Sequence, residues 1–110
     1  MIGRRVQSIA EIEQPGDYYG PDSDFTGGTP AVFFLLPNAR DEGAPPGQRS
    51  VHHVCSPPHT LRECPDGSLE IRASIGAMPY WHGYLDEGHV WRQVLWTAFP
   101  ATRAVWARSR

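Results

Sequence analysis

The pair Asp66-Gly67, followed at once by Leu69, Ile71 and Ala73 alternating with Glu70, Arg72 and Ser74, restricts this chain more than any other feature. An Asp-Gly pair beside an alternating run signals a hairpin, because both central positions of a two-residue turn need φ > 0. Such a turn sets Cys64 opposite Leu69, Thr60 opposite Ala73 and His59 opposite Ser74. It also sets Arg62 opposite Ile71 and Glu63 opposite Glu70, two poor pairs, the second a like-charge one. A slip of one residue would turn His59 to the other face.

A second hairpin points at the same serine. After the break from Gly76 to Pro79, Trp81 and Leu85 alternate with His82 and Tyr84, the period of a half-buried strand. Ser74 and His82 fall on the polar faces of their strands. An antiparallel return brings them opposite one another, with Cβ atoms roughly 4.5–5.5 Å apart. That is the approach a serine nucleophile and its general base require.

The remaining chain predicts a mostly β fold: a small antiparallel sheet or sandwich-like domain with one or two short helices. With 11 Pro and 11 Gly among 110 residues, turns and short strands are favoured over a helical bundle, and one domain spans 1–110 around a core motif at 50–91. Ser8-Ile9-Ala10-Glu11 matches a capping box opening a short helix that Pro15-Gly16 must end. A strand is expected from Asp17. Residues 31–36 (AVFFLL) read as a central strand covered on both faces. Residues 38–49 are too polar and too rich in Pro and Gly to pack, and form a loop that could border a cleft. Residues 50–56 read as a strand stopped by Pro57-Pro58. Residues 94–96 continue or follow the last strand, and residues 100–106 open a short amphipathic helix.

Lysine is absent and 10 Arg nearly balance 12 acidic residues, a net charge of −2. This gives no electrostatic footprint for nucleic acid or membrane. No run approaches the ~20 apolar residues of a membrane span, and no signal-peptide h-region is present. The expected setting is the cytoplasm of a prokaryotic cell or phage-infected host.

Cys55 and Cys64 form no C-x-x-C pair and are expected as free, packing thiols. His53, Cys55, His59 and Cys64 are zinc-type ligands at no standard spacing, so no metal and no cofactor are expected, a small zinc-stabilised domain being one rival reading. His52 and His53 point to opposite faces of one strand. His89, beside Gly88, is read as a loop residue. The sharper reading is a Ser-His-His site: Ser74 as nucleophile, His82 as base, and His59 orienting the first imidazole, the role usually given to Asp. Gly76 leaves room for main-chain N–H groups to form an oxyanion hole.

Ser74-Ile75-Gly76, His82, Gly88 and Trp91, with the preceding Asp-Gly turn and Ser-Pro-Pro-His-Thr, resemble the small serine peptidases of bacterial ubiquitination-like operons (BubE-like) and their phage-borne relatives. The likeness covers roughly residues 50–91. It implies a serine-dependent peptidase that processes or deconjugates ubiquitin-like proteins, with a peptide or ubiquitin-like protein as substrate. This chain departs by carrying Ala73 where the family usually has proline, and by keeping only Cys55 of a clustered C-x-C-G-C. The alternative is a non-catalytic phage-type interaction protein that binds a host target through the aromatic-rich segment 80–91.

Overall fold

The computed structural model describes residues 1–37, 51–77 and 81–94. They form two four-stranded sheets. The first holds β1 (Arg4–Arg5), β2 (Asp17–Asp22), β3 (Ala31–Phe34) and β4 (His52–Cys55) in that order. The second holds β5 (Thr60–Glu63), β6 (Leu69–Ala77), β7 (Trp81–Asp86) and β8 (Val90–Gln93) as an antiparallel meander. Tyr18, Val32, Phe34 and Val54 from one sheet meet Leu69, Ile71, Ile75, Trp81, Leu85 and Trp91 from the other in a shared core. Among the described residues no helix is long and apolar enough to cross a membrane.

The mostly β expectation holds, and its helices shrink to single 3-10 turns at Ile9–Glu11 and Asp24–Thr26. Ser8 and Glu11 bond side chain to side chain at 3.1 Å, and Ser8 gives no side-chain cap to the main chain. With Pro15 a few residues on, the turn cannot lengthen into a cooperative helix. The second turn lies between β2 and β3. The helix expected over residues 100–106, the loop over 38–49 and the strand beyond Val94 lie outside the described residues.

The unbroken apolar run of β3 has two clients. Val32 and Phe34 enter the core, whereas Phe33 faces the other way and is covered by the rings of Tyr19, Phe25 and His53. His52 stacks instead on Phe34, so the two histidines do face opposite sides of β4.

The β5–β6 hairpin corrects the expected register. Leu61 stands opposite Ile71, Arg62 opposite Glu70 and Thr60 opposite Arg72, one residue from the two-residue-turn pairing. Its loop is Pro65-Asp66-Gly67: Gly67 N–H donates to the Cys64 carbonyl at 3.0 Å, Cys64 N–H to the Ser68 carbonyl at 2.9 Å, and Gly67 has φ 86°. This is a type I turn with proline at its second position and a left-handed glycine closing a bulge. Asp66 Oδ1 accepts from Ser68 N–H at 2.9 Å and from the Ser68 hydroxyl at 2.5 Å. The one-residue shift removes both poor pairs. Arg62 now forms an ion pair with Glu70 at 3.1 Å, and Leu61 lies beside Ile71.

The first residues join the sheets. Ile2 bridges Val90, Gly3 N–H donates to the His89 carbonyl at 2.7 Å, and the chain then runs parallel to β2. Gly3 is obligatory here, because a Cβ would lie 2.3 Å from the Gly16 carbonyl oxygen and 2.5 Å from Trp91 Nε1. Trp91 Nε1 itself donates to that carbonyl at 2.9 Å.

Candidate functional site

Ser74 sits in the one irregular stretch of β6. Ile71 pairs with Leu85 but Ile75 pairs with Gly83, so β6 spends four residues where β7 spends two. The bulge keeps both Ile71 and Ile75 in the core and sets Arg72, Ala73 and Ser74 between them. Bulges of this kind re-aim side chains and are common beside active sites. Arg72 fastens the stretch: its guanidinium donates to the Ile71 and Leu85 carbonyls at 3.1 and 3.2 Å and pairs with Asp86 at 2.9 Å and Glu70 at 3.3 Å. Sequence reasoning gave Arg72 no role. The signal was a cation followed, across the hairpin, by Asp86 and preceded by Glu70.

His59 lies just before β5, in the turn that follows β4, where its N–H donates to the Cys55 carbonyl at 3.0 Å. Its ring Nε2 stands 3.2 Å from the main-chain carbonyl oxygen of Ser74. A carbonyl can only accept, so Nε2 carries a proton and donates. Nδ1 is buried with no hydrogen-bond partner among the described residues. The expected pair is thus brought together, though through the serine's backbone and not its hydroxyl, and from the end of the strand rather than from a cross-strand position.

His82 is opposite Gly76 in the β6–β7 ladder, two residues beyond Ser74, and only 4 % exposed. Its direct cross-strand partner is thus Gly76, not Ser74, which lies inside the irregular stretch. Burial pushes the His82 imidazole below its ordinary value, and a main-chain hydrogen bond at Val94 pulls it part of the way back. The result is an imidazole that stays neutral, and able to accept a proton, at lower pH than an exposed one.

The other candidates disperse. His53 packs on Phe33, His59 bonds Ser74, and Cys55 and Cys64 are free thiols, so the zinc quartet is not gathered. Ligand-type atoms do approach within 4.8 Å at Cys64, Asp66 and Glu87. There Asp66 already accepts from Ser68 and Glu87 pairs with Arg62 at 3.4 Å. His89 is more than a loop residue: at φ 62° its Nδ1 lies 2.7 Å from the Tyr18 hydroxyl, which also accepts from Leu69 N–H at 3.3 Å. It ties the two sheets. A cleft of about 490 Å³ lies elsewhere, lined by Arg5, Gln7, Tyr19 and Glu63 among others. Its cation is consumed internally, with Arg5 bonded to Glu63 and to the carbonyls of Gly20 and Gly67.

Comparison with protein-family models, with curated proteins and with solved structures finds no match to this chain.

Proposed function

We propose that this chain is a serine-dependent peptidase acting through Ser74, His82 and His59. The observation that carries the reading is the bond from His59 Nε2 to the Ser74 carbonyl, with His82 standing across from Gly76, so that one end of the β6–β7 hairpin holds all three residues. In the proposed reaction Ser74 Oγ attacks the peptide carbonyl carbon and its proton passes to the neutral imidazole of His82. That imidazole returns the proton to the leaving amine as the C–N bond breaks, and water then cleaves the acyl ester by the same route. The two side chains meet by rotation, or through one water, when substrate is bound. His59 acts as a positioning residue, gripping the serine's main chain. By the resemblance above, the substrates are ubiquitin-like proteins, their precursors or conjugates.

The interaction-protein reading is weaker on one point. Trp81, Leu85 and Trp91 of its aromatic segment are buried in the core, and Tyr84 is held between the guanidinium groups of Arg72 and Arg92. Little of the described segment remains to offer a partner. Tyr80 lies outside the described residues.

The test is labelling of the full chain by an alkyl fluorophosphonate, with the site mapped by mass spectrometry. Adduct at Ser74, lost in Ser74→Ala and slowed at least a hundredfold in His82→Ala, is expected. A folded protein that stays unlabelled at Ser74 overturns the reading.

A further inference from the structure

β6 outruns its neighbour. β5 pairs with β6 only as far as Arg72, while β6 continues to Ala77. Among the described residues no strand pairs with the β5-side edge of residues 73–77.

The register says which main-chain groups this edge presents. Cys64 N–H donates to the Ser68 carbonyl, so that pair is hydrogen-bonded, and by alternation so are Arg62 with Glu70 and Thr60 with Arg72. Even-numbered residues of β6 thus turn toward β5. Past the bulge, Val94 N–H donates to the His82 carbonyl at 2.8 Å, so His82 faces β8. Gly83 and Trp81 then face β6, bonding Ile75 and Ala77 and leaving Gly76 turned away from β7. The His59 bond to the Ser74 carbonyl lies on this same edge and agrees with the alternation. With that carbonyl taken, the N–H of Ser74 and both the N–H and C=O of Gly76 remain without a ladder partner among the described residues. Gly76 is exposed and has no side chain to hold a second backbone away.

We infer that an extended peptide docks here as an added strand along residues 74–77, exchanging both main-chain hydrogen bonds with Gly76 and passing Ser74 as it does so. Its source is the peptide substrate of the proposed reaction, so the inference rests on that reading and names how the substrate is held. The occupant is set by what the edge offers: bare donors and acceptors at strand spacing, next to small residues (Ala73, Gly76, Ala77), with the charged side chains of Arg62, Glu70 and Arg72 already paired to one another or to Asp86. An unpaired edge with these properties recognises backbone before side chain. Nucleic acid and phosphate have no free cation to meet at this edge among the described residues.

The test uses the full chain, ¹⁵N-labelled, with two probes: acetyl-Thr-Val-Thr-Val-Thr-Val-amide and the same hexapeptide N-methylated at every residue. The hexapeptide at millimolar concentration is expected to slow exchange of the Gly76 amide at least tenfold, and the N-methylated peptide to leave it unchanged. An unchanged Gly76 amide with the first probe overturns the inference, as does equal protection by the second. Fluorophosphonate labelling in the same sample separates the two readings. Labelling at Ser74 without protection removes only the docking edge, whereas protection without labelling removes the hydrolase and leaves a peptide-binding edge.

Discussion

The imidazole of His59 donates from Nε2 to the main-chain carbonyl of Ser74, 3.2 Å away, and so holds this serine by its backbone. The bond requires a proton on Nε2, while Nδ1 is buried with no hydrogen-bond partner among the described residues.

If His59 positions Ser74, the loss in His59→Ala should be partial, about tenfold in the rate of fluorophosphonate labelling. His59→Gln, whose amide can donate to the same carbonyl, should recover much of it. His82→Ala should cost 10²–10⁴-fold, the usual contribution of a general base. Equal losses in His59→Ala and His59→Gln would assign the ring a different role.

The pH dependence follows from the burial of His82. Its imidazole is held below the ordinary value of ~6.5, so labelling should persist to lower pH than an exposed histidine would allow, and fail as pH drops through the lowered value. The stability term has the same sign. Between the two values the unfolded chain binds more protons, so this contribution is present above the unfolded value and is lost as pH falls toward the folded one. A pH–rate profile with its acid limb at or above 6.5 would contradict the assignment.

Asp17 should govern acid unfolding. Burial opposes its charge, yet the guanidinium of Arg4 and the N–H groups of Gln14 and Glu13 outweigh it and hold the carboxyl below the usual range. Its contribution is present above about pH 4, the unfolded value, and is lost as pH falls through the folded one. Asp17→Ala should destabilise by about 2–3 kcal/mol at pH 7, read from urea midpoints, by stranding two main-chain donors. The difference from the wild type should narrow below pH 4.

Gly67 and Gly83 should fail for different reasons. At Gly67 an added Cβ meets nothing within 4 Å, so Gly67→Ala carries only the left-handed backbone cost of about 1–2 kcal/mol. Asn there should recover part of it. At Gly83 a Cβ would lie 2.1 Å from the Arg92 carbonyl oxygen, inside the β7–β8 pair. Gly83→Ala should therefore cost about 3 kcal/mol or more, or prevent folding, with no rescue by Asn. Thermal melts of the four variants, Ala and Asn at each position, separate the two causes.

The fold class was legible in the sequence because alternation and turn residues act locally. Leu69 and Ile71 against Glu70 and Arg72, the apolar run from Ala31 and the stops at Pro57-Pro58 each mark structure within a few residues. The hairpin register was legible too, in Pro65 and in the conflict of Glu63 with Glu70, but the Asp-Gly signal outweighed them. Proline at the second position fits a type I turn and cannot supply a φ > 0.

Long-range placement was decided only in three dimensions. His59 and Ser74 do meet, yet the cross-strand pairing that suggested it is absent; the turn following β4 delivers the ring to the carbonyl instead. His89 bonding Tyr18, Trp91 bonding Gly16 and the Ile2–Val90 bridge join residues more than seventy positions apart. The bulge that sets Ser74 between two core isoleucines is of the same kind. The sequence alone determined which residues favour strands, turns and burial, since those preferences belong to each residue and its near neighbours. The tertiary structure decided which strand edge beside Ser74 has no partner strand among the described residues, because that depends on where β5 ends relative to β6, a relation of two strands to each other.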